Sequence, residues 1–313
     1  MTAREDRPPA ATDGGRPPPA TDGGRPPPAT DGGRPPPATD GGRPRTSTGS
    51  ETPTARPDGG RQLRIAVNGA SGRMGRTVIE TAAERADLSV SFGVDTAADE
   101  AATPPVYDAG SVASATATHG ADVFVDFSRP EATVDLAETC TQQNVALVTG
   151  TTGFSETQLG SLESTSEQVP VLKAANFSRG IQALLRALEP ALSALQGYDI
   201  ELSETHHNGK EDAPSGTATT ILEAIQEERD LEPVYGRQGI APRGDDEIGV
   251  QVSRLGDVRG EHEVRLGGND EVLSIAHRAE DRAVFAAGAL DAAVWLAARN
   301  PGWYTFGDVI GDQ

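Results

Sequence analysis

An α/β fold followed by a second, α+β domain is what these 313 residues predict, and three observations carry the prediction. From Leu63 onward, short β-branched and apolar runs alternate with helical patterns, the order that builds a parallel sheet covered by helices. The first run passes directly into a glycine-rich turn, GASGRMG over residues 69–75, and then into a helix. From Ile248 the pattern changes to period-two segments separated by glycine turns, which predicts a mostly antiparallel sheet.

Residues 1–62 are a different polymer. The unit RPPPATDGG starts at Arg16, Arg25 and Arg34, with a variant from Arg7, and then decays. With almost no apolar side chains, such a segment cannot offset its ordering entropy, so a disordered tail of polyproline-like pieces is expected.

The ordered body begins with LRIAVN, a short buried strand, and RTVIETAAERA, an amphipathic helix, on either side of the glycine turn. In this Rossmann-type arrangement a dinucleotide's pyrophosphate rests on the helix N-terminus. Gly69, Ala70, Ser71, Gly72, Arg73 and Met74 form the candidate cofactor loop, although the glycine spacing is G-x-x-G-x-x-G and not the commoner G-x-G-x-x-G. A second strand, LSVSFGV, ends at Asp95, where a carboxylate can hold the adenosine ribose hydroxyls. Asp95 would repel a 2′-phosphate and so favours NADH over NADPH, a preference Arg73 would soften. Three further strand runs, ADVFVDFS, NVALVTGTTG and VPVLKAANFS, end in small polar turns. Ligands gather at the carboxyl ends of parallel strands, which makes Gly150, Thr151, Thr152, Ala174, Ala175, Asn176 and Phe177 candidates to face the nicotinamide.

After Asn176 come a helix, SRGIQALLRALEPALSAL, and a strand, YDIELSETHH, that delivers the densest cluster of reactive side chains. His206 is the side chain type best suited to give up a proton near neutral pH, and Lys210 brings a mobile cation beside it. Ser215, Gly216 and Thr217 open the next helix, whose first backbone N–H groups make a seat for a carboxylate. A His-His pair before a helix also occurs as a plain surface turn, and Ser-Gly-Thr as a plain helix start. Composition separates the readings: Lys173 and Lys210 are the only lysines, so a lysine inside this cluster weighs toward function. The last helix, RAVFAAGALDAAVWLAARN, is apolar throughout and is expected to pack back on the first domain. The expected division is therefore a dinucleotide-binding domain of residues 63–178 completed by 283–313, with substrate binding and oligomerisation in 179–282.

The formal net charge is −20, and the body from Leu63 carries 18 basic against 39 acidic residues. That excess argues against nucleic acid and anionic membranes as partners. An acidic, lysine-poor surface suits a halophilic cytoplasm, where molar salt shrinks the Debye length to ~3 Å and relieves self-repulsion. No apolar run reaches the roughly 20 residues of a membrane span. Cys140 is the single cysteine, leaving no internal disulfide and no cysteine-based metal cage, and no metal site is expected.

GASGRMG, DFSRPEAT, GTTGF, AANFSRG, HHNGKEDAPSGTA, GDVRGEHEV and the AAVWL helix together resemble the 4-hydroxy-tetrahydrodipicolinate reductase (dihydrodipicolinate reductase) family, from Leu63 to near the C-terminus. The resemblance implies NADH or NADPH in the first domain and a cyclic imine dicarboxylate in a cleft against the second. It implies reduction to tetrahydrodipicolinate with loss of water, in lysine and diaminopimelate biosynthesis. On the matching positions His206 is the acid, Lys210 assists it and anchors a carboxylate, and His207, Gly216 and Thr217 bind substrate. A homotetramer joined through the second-domain sheet is implied as well. Two departures stand out: Asn208 and Gly209 occupy positions where some relatives are more basic, and Thr96 replaces an arginine that would hold a 2′-phosphate. Arg282 either returns to the substrate or forms an ordinary salt bridge. Another two-domain dehydrogenase would account for the glycine turn but not for a His/Lys pair adjoining a dicarboxylate seat. A non-catalytic cofactor sensor would tolerate loss of both His206 and Lys210.

Overall fold

The structure, a computed structural model, describes residues 61–311. The repeat tail lies outside the described residues but for its last two positions. Along the chain run β1 (Leu63–Asn68), α1 (Arg73–Ala83), β2 (Leu88–Asp95), β3 (Val106–Asp108), α2 (Val112–His119), β4 (Val123–Asp126), α3 (Pro130–Gln143) and β5 (Ala146–Thr149). There follow α4 (Glu156–Ser166), β6 (Pro170–Lys173), α5 (Arg179–Ala194), β7 (Asp199–His206), α6 (Gly216–Glu228), β8 (Glu232–Tyr235) and β9 (Glu247–Arg254). β10 (Glu261–Gly268), β11 (Glu271–Arg278), α7 (Ala283–Leu296), β12 (Gly302–Tyr304) and α8 (Phe306–Gly311) complete the body.

Seven strands form a parallel sheet in the order β12-β6-β5-β4-β1-β2-β3. Its central strands are apolar on both faces because helices cover both. Val78 and Ala82 of α1, the whole inner side of α7, and Phe306 and Val309 of α8 pack on one face. Leu136 and Cys140 of α3, with Leu162 of α4, pack on the other. α7 is hydrophobic all round, as a helix wedged between a sheet and other helices must be, and β12 extends the same sheet beyond β6. Strand order reverses between β1 and β4, so the crevice at their carboxyl ends is where a ligand of such a sheet belongs.

The second sheet, β11-β10-β7-β9-β8, is mixed. β10 runs antiparallel to both β7 and β11, whereas β7 and β8 each run parallel to β9. Its antiparallel character is thus narrower than the period-two pattern predicts. The reason is connectivity: α6 and β8 intervene between β7 and β9, a crossover long enough to return a strand in parallel, and β10–β11 is the one tight hairpin. α5 and α6 cover one face through Leu184, Leu188, Leu192, Ile221 and Ile225. The strict alternation of β7 puts Ile200, Leu202, Glu204 and His206 on that covered face. Two of those four are polar, and they lie at the strand's carboxyl end.

Candidate active site

The turn after β1 is shaped by two glycines. Gly69 has φ +78°, and a Cβ there would come 2.7 Å from the Phe127 carbonyl oxygen. A Cβ on Gly75 would come 2.1 Å from the Gly69 carbonyl oxygen, so only glycine lets α1 start so close to the turn. α1 has no side-chain cap and no acidic residue in its first turn, which leaves its positive end open beside exposed Ser71, Gly72 and Arg73. Asp95, at the end of β2, accepts from the backbone N–H groups of Ser71 (2.8 Å) and Thr96 (2.7 Å). Partial burial pushes its carboxyl up, but those two N–H groups hold it below the usual carboxylate range. An uncapped helix end, glycines that admit no side chain and an acid beside them fit a dinucleotide's pyrophosphate and ribose.

The other carboxyl ends meet at Asp126, which is completely buried. Its two oxygens accept from Asn68 Nδ2 (2.8 Å), Ser128 Oγ (2.5 Å), Thr133 Oγ1 (2.7 Å), Thr149 Oγ1 (2.7 Å) and Thr151 Oγ1 (2.8 Å). One carboxylate therefore ties the end of β1 to the turns after β4 and β5, with Gly150 between Thr149 and Thr151 and exposed Thr152 just beyond. Two expected cofactor residues face elsewhere. Phe177 is buried between the rings of Phe127 and Phe306, and the half-buried Met74 side chain packs against the core. Ala70 is likewise buried.

The His cluster follows from register. Glu204 of β7 lies opposite His262 of β10, and His206 lies opposite Arg254 of β9. Glu204, with a side chain of zero exposure, accepts from the Ser215 N–H (3.1 Å) and from Arg254 Nη1 (3.1 Å). His206 Nδ1 and His262 Nε2 each lie 3.6 Å from the same carboxylate oxygen. Burial pushes the Glu204 carboxyl up, but His262, Ser215 and the charge of His206 bring it down to about 2. Burial pushes His206 down to about 4, against the opposing pull of Glu204 and with help from His262, Lys210 and Arg254. His207 is held below the ordinary histidine range by desolvation, then by Arg282, Arg73, Lys210 and Arg259. The Lys210 ammonium pairs with Asp212 (2.7 Å), and Arg254 grips the loop by its carbonyls at Lys210 (3.2 Å) and Asp212.

Ser215 caps α6 by accepting from the Ala218 N–H (3.2 Å), and its hydroxyl also meets His262 Nε2 (3.2 Å). Its N–H is taken by Glu204, so the uncommitted amides at the start of α6 are those of Gly216 and Thr217. This helix end abuts the cofactor crevice: Asn176 Nδ2 donates to Thr217 Oγ1 (2.8 Å), and a Cβ on Gly216 would lie 3.8 Å from that of Ala175, next to Ala174. Burial, and then the charges of Arg73 and Arg259, lower the pKa of Arg282, and no ion pair of Arg282 is found among the described residues. Glu204, His206 and His262 have ligand atoms within 4.8 Å of one another, a spacing a metal can bridge, but Arg254 and the Ser215 N–H already occupy the carboxylate.

Family profiles match both halves of the chain. "Dihydrodipicolinate reductase, N-terminus" covers residues 63–177 and "Dihydrodipicolinate reductase, C-terminus" covers 180–310. The chain belongs to the dihydrodipicolinate reductase family. A reductase of this family from Haloarcula marismortui, named 4-hydroxy-tetrahydrodipicolinate reductase, is 56% identical over 248 residues, 79% of this chain and 98% of the relative. One of the same name from Natronomonas pharaonis is 49% identical over 79% of this chain and all of the relative. In fold, the chain is similar to a dipicolinate-bound dihydrodipicolinate reductase from Paenisporosarcina sp. TG-14, with a TM-score of 0.64, 24% identity and coverage of 78% and 98% of the two chains. Like the family, the chain is an NAD(P)H-dependent oxidoreductase.

Sequence reasoning missed Glu204, Arg254, His262 and Asp126 as parts of the site. The signal for Glu204 was its place two residues before His206 on one strand, hence on the same face. His262 stands in the GEH of β10, but only the β7–β10 register shows that it meets Glu204.

Proposed function

We propose that His206 is the proton donor and Lys210 its assistant in the family's reaction, with substrate held by His207, Lys210 and the N–H groups of Gly216 and Thr217. The chain reduces 4-hydroxy-tetrahydrodipicolinate to tetrahydrodipicolinate with NADH or NADPH and with loss of water, in lysine and diaminopimelate biosynthesis. The observation that carries the residue assignment is the Asn176–Thr217 hydrogen bond of 2.8 Å. It ties the open end of α6, whose cap Ser215 is held by Glu204 of the His cluster, to the turn after β6 and so supports this reading. The reduced dinucleotide, when bound, supplies the hydride. Electron density arriving on an unsaturated ring must be met by a proton, a role that suits the His206 imidazole in this reading. Two carboxylates need cationic and N–H partners, which Lys210, His207 and the α6 terminus provide. Ser215 then serves the substrate indirectly, by capping that terminus.

The cofactor reading places the pyrophosphate on residues Gly69 to Met74, the ribose on Asp95, and the nicotinamide against Gly150 to Thr152 and Ala174 to Phe177. NADH is the preferred donor in this reading, because the Asp95 carboxylate beside the glycine turn would repel a 2′-phosphate and Thr96 adds no cation. Asp95→Ser is expected to raise the NADPH/NADH ratio of kcat/KM by about tenfold, a difference of ~1.4 kcal/mol. Initial rates with a synthase generating the imine in situ measure it. An unchanged ratio would remove Asp95 from the ribose site.

The chain is proposed to act as a homotetramer in a halophilic cytoplasm. Two similar relatives come from halophilic archaea, and none of the described helices is long and apolar enough to cross a membrane. Val272 and Leu273 are 67% and 39% exposed on β11, an edge strand of eight residues, which is a surface that pairing between chains would cover. The proposed domain division, 63–178 with 283–313 against 179–282, follows sheet membership. Sedimentation in molar KCl is expected to give four chains, with dissociation or unfolding as salt is diluted and self-repulsion returns. A salt-independent mass and melting temperature would contradict the halophilic reading.

A further inference from the structure

We propose that Glu204 is the positioning residue of His206, fixing its ring with Nδ1–H toward a buried carboxylate and supplying the counter-charge for the imidazolium that donates from Nε2. The proposal rests on the reading of His206 as the proton donor. Three observations carry it. His206 Nδ1 is buried and has no hydrogen-bond partner, and the acceptor it faces is Glu204 Oε2 at 3.6 Å. A bare Nδ1 lone pair aimed at a carboxylate would be repelled, so the proton of the neutral ring belongs on Nδ1. Such contacts shorten when substrate closes the site.

The carboxylate is itself fixed from the two strands that flank its own and from a helix cap. Arg254 of β9, His262 of β10 and the Ser215 N–H before α6 all converge on Glu204 of β7. Adjusting this hub would disturb the substrate seat, because the same Ser215 caps α6. The opposite nitrogen, Nε2, lies beside Gly260: a Cβ there would come within 3.1 Å of it, so the missing side chain leaves Nε2 room. The chemistry then needs a charge. With Nδ1 protonated toward Glu204, a neutral His206 has a bare Nε2, which accepts protons and cannot give one. Only the imidazolium donates from Nε2, and it forms in a pocket where burial first, then His262, Lys210 and Arg254, oppose positive charge and Glu204 alone favours it. After donation the ring returns to the Nδ1–H tautomer, and solvent restores the Nε2 proton.

Nitrogen NMR of the imidazoles in the full chain tests this, with only five histidines to assign. The neutral His206 of the wild type is expected as the Nδ1–H tautomer. An Nε2–H tautomer overturns the proposal without any variant. Glu204→Gln keeps an acceptor oxygen for Nδ1–H but removes the charge, so the tautomer should persist while the His206 titration midpoint falls. A fall of one unit lowers the imidazolium fraction about tenfold. The expected result is a loss in kcat of about tenfold or more with a smaller change in KM, and movement of the alkaline limb of the pH–rate profile to lower pH. A purely structural role would lower activity at every pH and leave both the midpoint and the limb in place, which would overturn the proposal. Should Glu204→Gln fail to fold, the wild-type tautomer still decides. Failure of the donor assignment looks different: His206→Gln would keep its kcat whatever the NMR shows.

Discussion

His206→Gln is expected to lower kcat by about 10²- to 10⁴-fold, the usual contribution of a positioned general acid, with NADH affinity unchanged. Glutamine matches the imidazole in polarity but has no transferable proton, and the glycine turn and Asp95 belong to a different sheet from His206. Steady-state rates with coupled imine synthesis, and NADH binding followed by fluorescence, separate the two quantities. Near-full kcat would pass the proton step to Lys210 or to water and would reopen the reading of this block as a binding site alone. The same variant carries a stability signature of known sign. His206 has a pKa of about 4 in the folded chain against an ordinary 6.5, so the unfolded chain binds the proton more readily between those values. Stability is therefore lost as pH falls from the ordinary value toward the folded one, and His206→Gln removes that loss. At about pH 5 the variant should gain roughly 2 kcal/mol over the wild type relative to its standing above about pH 8. Chemical denaturation in molar KCl at the two pH values reads the difference.

How far the sequence discloses this site depends on whether a feature is local. The glycine turn, Asp95 and the run from His206 to Thr217 are contiguous or fixed by one strand–turn–helix unit, and each lies where the period of the pattern puts it. The mixed second sheet is not local. β8 is a four-residue strand with two half-buried positions, too short and too polar to show a period, and without it β9 reads as the partner of a hairpin. β12 is three residues long and pairs with a strand about 130 residues earlier, which no local pattern encodes. The convergence on Glu204 is a register effect: residues 204, 254 and 262 meet because β7 lies between β9 and β10. Phe177 shows the opposite case. Its position beside Asn176 marks it for the crevice, but an aromatic ring next to Phe127 and Phe306 gains more by burial than by facing a cofactor.

Asp126→Ala is expected to cost about 2–6 kcal/mol and to weaken NADH binding in step, because one side chain organises both stability and the cofactor crevice. Ser128 keeps an acceptor in the Arg129 carbonyl at 3.5 Å. Thr133 keeps an acceptor in the Arg129 carbonyl at 3.0 Å, and Asn68 keeps one in Ser128 Oγ at 3.0 Å. The buried hydroxyls of Thr149 and Thr151 have Asp126 as their acceptor, so removal strands two donors in the interior at about 1–3 kcal/mol each. Asp126→Asn leaves one acceptor oxygen, which can stay toward the three threonines. Its amide then faces Asn68 and Ser128, where a flipped amide and a turned hydroxyl can accept. Asn should therefore cost less than Ala, about 1–2 kcal/mol, and preserve most of the NADH affinity. Denaturant midpoints in molar KCl and NADH titrations of both variants test the order. Two outcomes would refute the assignment: Ala as stable as Asn, or a stable Ala variant that still binds NADH as the wild type does. Either would mean that the turns after β1, β4 and β5 hold their shape through their backbones, and that the buried carboxylate is a consequence of that shape and not its cause.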